Sequence, residues 1–314
     1  MILDLKPFSK LYFSRVASFE KGFFAASGWK KGRIWQVLMR YDTMKDMKPI
    51  LERELSPMSQ SQSKPSLKTR IALIDEIRGF CILAMILHHA LFDIVYLFND
   101  SWFMPLLQFA ESIRIPFVFA FVGISGLSSR LSHSNALRGV KLLGIALGLT
   151  LVTWLVMPEE LIVFGILHML AFCMLIFALL RPLLDKAPTW LGIVICLLLF
   201  VLTSNVGNGQ LGIPNLLYWQ IPEPVMQCEW LFPFGITTSG FYSADYFPLF
   251  PWLFLFLAGS YVGVWFKEGR YPKWMAPKRI PFLDFVGRHT LWVYVIHQPI
   301  VYGILYVIYN CNLA

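Results

Sequence analysis

The stretch RIALIDEIRGFCILAMILHHALFDIVYLF, Arg70 to Phe98, places five charged residues and two adjacent histidines in a segment otherwise apolar enough to cross a membrane. A membrane-spanning helix needs about 20 mainly apolar residues, and a charge at its centre costs about 2.5 to 3.5 kcal/mol on insertion scales. Such residues usually face a protein interior, where they serve a function. We therefore expect this helix to carry the chemistry of the chain.

The composition is that of a membrane protein with several spans. Of the 314 residues, 57% are hydrophobic and 15% are charged, against about 25% charged residues in an average soluble domain. Residues 1–70 hold 14 Lys and Arg against 6 Asp and Glu, whereas residues 71–314 are balanced at 13 against 13. This distribution argues against nucleic acid as a partner of the main body.

The charge excess predicts three parts in the chain. Residues 1–55 form a basic extension, which the positive-inside rule places in the cytoplasm. Residues 56–69 are rich in Ser and Gln and are predicted to be a flexible linker. Residues 70–314 form the transmembrane domain.

Seven apolar segments are found after the linker, at about 70–98, 113–131, 137–157, 162–181, 190–204, 244–266 and 283–310. The loops between them alternate in charge. One set carries Arg130, Arg138, Lys141, Arg181, Lys186, Lys267, Arg270, Lys273, Lys278 and Arg279, and the other carries Asp100, Glu111, Glu159, Glu160, Glu223, Glu229 and one cation, Arg114. The sequence therefore predicts an all-α polytopic membrane protein of about seven transmembrane helices, with the amino terminus inside and the carboxyl terminus outside.

A polar stripe follows one face of the first span. At about 100° per residue, Asp75 and Asp93 return to the same face after about five turns. Arg78 and His89 fall within about 60° of that line, whereas His88 is rotated by about 100° from His89 and is expected to face a neighbouring helix. His89 and Asp93 have i, i+4 spacing, at which a carboxylate can orient an imidazole that activates a hydroxyl or amine. A single buried histidine often only bonds a neighbouring helix, but four aligned ionisable residues favour catalysis.

The inner ends of two spans carry arginines. Arg78 lies about 16 Å of helix rise from His89, towards the cytoplasm. Arg288 pairs at i, i+4 with Asp284 near the inner end of the last span, and His289 follows it. If Arg78 and Arg288 converge, they form an anion site; otherwise Arg288 is a salt-bridged end of its helix.

The outer halves of later spans carry further polar side chains. His168 lies in the fourth span at about the depth of His89, where it either packs or functions. Asp245 and Tyr246 open the sixth segment at the outer surface. Tyr294 and His297 share a face of the last span by i, i+3 spacing.

Five motifs, in chain order, resemble a known family: IDEIRGFCILAMILHH, FVGISGLS, FGILHMLA, ADYFPLFPW and FVGRHTLWVYVIHQP. They resemble the membrane-embedded catalytic domain of heparan-alpha-glucosaminide N-acetyltransferase and its shorter bacterial relatives, over about Arg70 to Ile308. The wider transmembrane acyltransferase superfamily is similar in an Arg-Gly pair followed by a histidine ten residues after the glycine, here Gly79 and His89. Two features depart from the family: the larger relatives have more than seven spans, and the basic extension has no counterpart.

The resemblance implies an integral membrane acyltransferase in a bacterial inner (cytoplasmic) membrane. It would move an acyl group, typically acetyl from cytoplasmic acetyl-CoA, to a sugar amine or hydroxyl of a glycan acceptor at the outer side. The resemblance places Arg78 at the cofactor end and His89 at the reaction centre.

Site residues are assigned on this basis. The catalytic residues are His89, Asp93 and His168; the acetyl-CoA-binding residues are Arg78, Asp75, Arg288 and His289; and the acceptor-binding residues are Asp245, Tyr246 and His297. No metal site is expected, and the oligomeric state is left open.

Two other classes of protein stay open. A transporter of a sugar or lipid-linked intermediate also needs ionisable residues near the middle of the membrane, but it has no acyl-CoA requirement. A b-type haem protein would use His89, His168 or His297 as axial ligands and would show a Soret band.

Overall fold

The computed structural model describes residues 70–213 and 216–311 of the chain. The predicted extension and linker, residues 1–55 and 56–69, lie outside the described residues. The described part is a bundle of helices with one small β-hairpin near its middle.

In the described part of the chain, six helices are long and apolar enough to cross a membrane. They are α1 (Ala72–Phe92), α2 (Met104–Leu131), α3 (Asn135–Val156), α4 (Ile166–Leu184), α5 (Thr189–Thr203), which a short 3-10 turn extends to Asn208, and α9 (Thr290–Cys311). Between α5 and α9 come strands β1 (Gln210–Ile213) and β2 (Leu217–Gln220), and helices α6 (Glu223–Met226), α7 (Trp252–Lys267) and α8 (Pro281–Arg288). The antiparallel pair β1–β2 is a minor addition, and the predicted all-α polytopic architecture is confirmed.

The sixth predicted segment, 244–266, is only partly helical. Its helix, α7, has 16 residues and begins at Trp252, directly after Pro251. Proline supplies no backbone N–H and restricts the residue before it to extended conformations. Because Pro248 and Pro251 both lie ahead of α7, the chain before it stays non-helical, and the 16 residues of α7 fall short of the about 20 that a membrane span needs.

The first helix changes its geometry at Asp93. A π-helical turn continues α1 from Asp93 to Leu97, and the Phe98 N–H donates to the Asp93 carbonyl over 3.0 Å. Such turns are rare and often occur at functional sites. The predicted polar stripe therefore ends at a local widening of the helix.

The second helix is longer than predicted. It begins at Met104, well before residue 113, after a short turn in which Asp100 accepts a hydrogen bond from the Trp102 N–H over 3.2 Å. Glu111 and Arg114 lie inside this helix and form an i, i+3 ion pair of 3.2 Å. The paired charges therefore belong to the helix rather than to a loop.

The last predicted span, 283–310, is two helices separated at His289. The first of them, α8, lies in backbone contact with α1. A Cβ added to Gly287 would lie 1.7 Å from the Asp75 carbonyl oxygen, and a Cβ added to Gly79 would lie 2.1 Å from the Leu283 carbonyl oxygen. Two glycines thus allow α1 and α8 to meet more closely than any other residue type permits.

Glycines also seat α7 against α2. An added Cβ at Gly126 would lie 1.9 Å from the Phe256 carbonyl oxygen, and at Gly259 it would lie 2.1 Å from the Gly123 carbonyl oxygen. Helix α7 also packs on α5, and α3 packs along α4. The main core lies around α4 and α7, where Phe256 is fully buried.

The connections fall at two ends of the bundle. At the basic end, Arg130 in the last turn of α2 forms an ion pair with Asp185 after α4, and Tyr261 of α7 donates to the Leu184 carbonyl over 3.1 Å. At the acidic end, Tyr309 of α9 donates to Asp100 over 2.7 Å. The loops that alternate in charge along the sequence are thus collected at opposite ends.

Candidate active site

A cavity of about 1650 Å³ lies between α1, α2, α3 and α9 and the connection that precedes α7. Most small-molecule sites have volumes of about 300 to 1,000 Å³. The cavity follows α1 from Phe80 to Leu97, about 25 Å by helix rise. Its polar lining consists of His88, His89, Asp93, Glu111, Arg114, Thr153, Glu160, Asp245, Tyr246, Tyr294, His297, Gln298 and Tyr302. Five predicted site residues are among them: His89, Asp93, Asp245, Tyr246 and His297.

Two histidines from different helices meet in this cavity. The ring centroids of His89 on α1 and His297 on α9 are 5.3 Å apart, with the ring planes at 63°. The ring of His89 makes no hydrogen bond to another described residue. Helix α9 packs along α1, which brings together two residues more than two hundred positions apart in the sequence. The structure thus joins a predicted catalytic residue to a predicted acceptor-binding residue.

The hydrogen bonds of His297 define its tautomer. Its Nδ1 contacts the carbonyl oxygen of Tyr294, one turn earlier in α9. A carbonyl can only accept, so Nδ1 carries the proton and Nε2 presents a lone pair. That Nε2 is buried and has no partner among the described residues. An unpaired buried acceptor that lines a cavity is a place for a ligand to donate a hydrogen bond.

His88 faces a neighbouring helix, and the prediction from helical phase is confirmed. Its Nε2 lies 2.9 Å from Oε1 of Glu111 on α2. The other carboxylate oxygen of Glu111 pairs with Arg114. His88 is thus part of a charged cluster that links α1 to α2, whereas His89 remains available to a ligand.

The predicted hydrogen bond between His89 and Asp93 is not formed. Both carboxylate oxygens of Asp93 accept hydrogen bonds from the side-chain amide of Gln298, over 3.0 Å and 2.8 Å. The carboxylate is therefore bound to α9 although i, i+4 spacing also allows a bond within α1. Asp93 is still a lining residue of the cavity and is almost fully buried.

His168 is buried and is not among the residues that line the cavity. Its Nδ1 accepts from the Gly165 N–H over 3.3 Å, so its Nε2 carries the proton and donates to Thr150 over 3.3 Å. Both ring nitrogens are used to cap α4 and to tie it to α3. The structure therefore separates this predicted catalytic residue from His89.

Asp245 joins three parts of the bundle beside the cavity. Its Oδ2 accepts from the Tyr294 hydroxyl over 2.6 Å and from the Ile166 N–H over 3.2 Å. The neighbouring Tyr246 donates its hydroxyl to the Phe232 carbonyl. Asp245 therefore holds the amino end of α4 and the second turn of α9 at one wall of the cavity.

Glu160 is a lining carboxylate in the short turn after α3. Burial raises the pKa of Glu160 above the usual value, and the adjacent charge of Glu159 raises it further. The acidic end thus places a half-buried carboxyl group at the cavity, where it can accept a hydrogen bond from a polar ligand.

The predicted cofactor residues of α1 lie outside the cavity, at its basic end. Asp75 accepts hydrogen bonds from Arg78 over 2.7 Å and from Arg70 over 2.6 Å. Arg78 also donates to Ser128 of α2 over 2.6 Å and reaches the Gly287 carbonyl of α8 over 3.4 Å. Arg78 therefore connects three helices.

The second predicted anion-binding arginine lies on a helix that contacts α1. Arg288 pairs with Asp284 over 2.7 Å, and Lys278 pairs with the same carboxylate oxygen over 2.8 Å. The helices of Arg78 and Arg288 converge, yet each arginine is bound to its own aspartate. His289 is exposed, and its Nδ1 donates to the Phe285 carbonyl over 2.8 Å.

Two features of the site were not predicted. Gln298 follows His297 in the sequence, and no spacing rule distinguished it from a neutral surface residue. Glu111 and Arg114 were counted among the loop charges, although the second predicted segment, 113–131, contains Arg114. Their i, i+3 spacing was the available signal for a helical position.

The fold and the cavity define an integral membrane protein with a histidine pair inside its helix bundle. The family described as heparan-alpha-glucosaminide N-acetyltransferase, catalytic, matches residues 70–299. The chain therefore belongs to this family of membrane acetyltransferases, and the predicted resemblance is confirmed. No curated protein and no solved structure matches the chain.

Proposed function

We propose that the protein transfers an acyl group, typically acetyl, from acyl-CoA to an amine or hydroxyl group of a sugar held in the cavity. Family membership supports transfer chemistry. The observation that carries the assignment to this cavity is the pair His89 and His297, with a buried lone pair on His297 that has no partner among the described residues.

The chemistry requires a base close to the acceptor. His89 accepts the proton of the acceptor amine or hydroxyl, and the freed lone pair attacks the thioester carbonyl carbon. The carbon–sulfur bond then breaks, and the coenzyme A thiolate leaves with the proton that the His89 imidazolium returns. His297 Nε2 orients the acceptor by accepting a second hydrogen bond, or holds the base itself by accepting from the His89 ring.

The donor is proposed to enter from the basic end, which the positive-inside rule places in the cytoplasm. Arg288 and Arg70 lie there, and both are partly exposed while their aspartate partners are buried. Their guanidinium groups can bind the phosphates of coenzyme A bidentately. Arg78 lies behind them and orders α1, while the cavity, which begins at Phe80, would admit the thioester.

The acceptor is proposed to bind at the acidic end. Asp245, Tyr246 and Glu160 lie on the side of the cavity formed by the connections. Carboxylate oxygens accept hydrogen bonds from sugar hydroxyls and from an ammonium group. This arrangement would place the donor and the acceptor at opposite ends of one helix, with His89 between them.

Incubation of the purified protein with acetyl-CoA and an amino sugar glycoside tests the proposal. We expect release of free coenzyme A thiol and an equal amount of acetylated glycoside by mass spectrometry. His89→Asn should reduce the rate about 10²- to 10⁴-fold, whereas His88→Asn should keep most of it. The reverse pattern would show that the base is misassigned. Uptake of the glycoside into vesicles without acyl-CoA would identify a transporter instead.

A binding measurement tests the donor end separately. Acetyl-CoA at about 100 times its dissociation constant should stabilise the protein by about 2.7 kcal/mol, seen as a rise in Tm. Arg288→Gln should weaken this effect. Arg270→Gln is the matched control because Arg270 is an exposed arginine at the same end, paired with Glu268 over 3.3 Å. An equal response of both variants would contradict the proposed phosphate contact.

A further inference from the structure

The cavity has a wall that the proposed chemistry does not use. Away from the histidines, its lining residues are aliphatic and aromatic, and they come from α1, α2, α3 and α9. They include Phe80, Leu83, Phe117, Phe121, Ile145 and Leu149. These side chains have no polar atoms, so they cannot satisfy the amide groups of a pantetheine arm or the hydroxyls of a sugar. The wall suits a hydrocarbon chain.

The same wall is open to the side of the bundle. Phe80, Val152 and Ile300 line the cavity, and 52%, 55% and 53% of their respective surfaces remain exposed. They lie on α1, α3 and α9, within segments long and apolar enough to span a membrane. A chain from the surrounding lipid can therefore enter the cavity without crossing water or displacing a polar group.

The packing of the helices explains the opening. Helix α3 packs along α4, and helix α9 packs along α1. The cavity lies between these two helix pairs, with α2 and the connection before α7 completing its lining. The volume of about 1650 Å³ exceeds the about 300 to 1,000 Å³ of most small-molecule sites. A sugar held by the polar groups around His89 and His297 would therefore leave much of the cavity unfilled.

We infer that the acceptor is a lipid-linked sugar that enters sideways from the bilayer, with its hydrocarbon chain on the apolar wall and its sugar at His89. The inference rests on the proposed function and adds the substrate class. The charges of the lining support it. The described lining residues include a single arginine or lysine, Arg114, against four acidic residues: Asp93, Glu111, Glu160 and Asp245. This surface favours a neutral or cationic head group over the phosphates of the donor.

Two glycines on α3 provide a matched pair of variants. Gly148 lines the cavity, and an added Cβ would meet nothing within 4 Å. Gly144 lies one turn earlier, also with nothing within 4 Å, and is outside the lining. Gly148→Leu should fill part of the space proposed for the chain, whereas Gly144→Leu makes the same chemical change elsewhere on the same helix.

Photolabelling in lipid nanodiscs tests the chain site without using activity. The probe is an amino sugar glycoside with a 12-carbon chain that carries a diazirine, and a phosphatidylcholine with the same chain is the control probe. We expect the glycoside to label peptides of α1, α3 and α9 several-fold more than the phospholipid does. Gly148→Leu should lower that labelling about fivefold or more, and Gly144→Leu should not. Equal labelling by both probes, or labelling that Gly148→Leu leaves unchanged, would overturn the inference.

Transfer kinetics separate the inference from the proposed function. With acetyl-CoA as donor, lengthening the glycoside chain from 2 to 12 carbons should lower KM about tenfold or more, since buried methylene groups bind favourably. Gly148→Leu should remove most of this gain, whereas Gly144→Leu should keep it. Because the glycosides partition into the bilayer equally in both assays, a difference between the two variants reports binding to the protein. Normal turnover with a KM independent of chain length would refute the lipid-linked acceptor and leave acyl transfer standing. Specific labelling without transfer to any acceptor would refute the proposed transfer and leave the chain site standing.

Discussion

The polar side chains at the two ends of α1 differ in whether they have hydrogen-bond partners. At the basic end, the buried carboxylate of Asp75 accepts hydrogen bonds from Arg70 and Arg78. In the cavity, a buried nitrogen of His297 has no partner among the described residues, and the ring of His89 lies beside it without a hydrogen bond. Leaving a buried polar group unpaired costs about 1 to 3 kcal/mol. The paired carboxylate of Asp75 therefore maintains the fold, and the unpaired nitrogen of His297 is arranged to bind a ligand.

The histidines of α4 and α9 show the same contrast in one residue type. His168 uses both ring nitrogens, accepting at Nδ1 and donating at Nε2. His297 donates at Nδ1 and keeps an acceptor at Nε2. The backbone group beside each Nδ1, an N–H for His168 and a carbonyl for His297, determines which ring nitrogen carries the proton.

The largest effect is expected for a change in the unpaired region. His297→Ala should reduce the acyl-transfer rate about 10²- to 10³-fold, because the acceptor or the base loses its orienting contact. The thermal stability should change little, since no hydrogen bond to another side chain is lost. His133→Ala is the matched control, because that exposed residue lies in the turn between α2 and α3, outside the cavity, and should leave the rate unchanged. A fall in rate that only follows a fall in Tm would remove the distinction between the two regions.

A change at the α1–α8 junction should mainly affect stability. Gly287→Ala should destabilise the fold by up to about 3 kcal/mol, because the new methyl group meets the Asp75 backbone, which cannot rotate away. The Tm from thermal unfolding in detergent measures this effect. Gly303→Ala on α9 is the control, since its Cβ would meet nothing within 4 Å. Equal Tm values for the two variants would show that the close approach of α1 and α8 does not contribute to the stability of the fold.

A smaller effect is expected at His168. His168→Ala should lower stability by about 1 to 2 kcal/mol, since the Gly165 N–H and the Thr150 hydroxyl lose their partner. The rate per folded molecule, measured well below the Tm, should remain within a few-fold of the wild type. If instead the rate is lost at a temperature where the variant is fully folded, His168 has the catalytic role that the sequence predicted.

The smallest effect is expected at Arg70. Its side chain is 63% exposed, so solvent screens its ion pair with Asp75. Arg70→Ala should change stability by less than about 1 kcal/mol, and Arg78→Ala should change it more because three helices share that guanidinium. Comparison of the two Tm values checks this order. A larger loss at Arg70 would mean that the outer arginine, rather than the inner one, organises the basic end.

Hydropathy was sufficient to predict the six long helices, because a chain in lipid must satisfy its backbone hydrogen bonds within each helix, but it overestimated the segment that holds α7. Helical phase also separated His88, which faces a neighbouring helix, from His89 on the polar stripe, since 100° per residue applies within any one helix. Both inferences use information contained in a single segment. Their success does not depend on which helices are neighbours.

Pairs between segments could not be predicted in the same way. The partner of Asp93 is Gln298, 205 positions away, and nothing in the spacing of α1 indicates α9. The junction at Gly79 and Gly287 likewise depends on two backbones that meet only in the fold. Periodicity gives the face of the helix on which a side chain lies, but not the group on another helix that it contacts.

The attachment of α9 has a consequence for sequence variation among relatives. Tyr294, Gln298 and Tyr309 bind α9 to Asp245, Asp93 and Asp100, respectively. Much of its remaining surface is exposed, as at Trp292 and Ile300. Among relatives, the outward positions of α9 should therefore exchange one apolar residue for another, whereas each aspartate and its partner on α9 should change together or not at all.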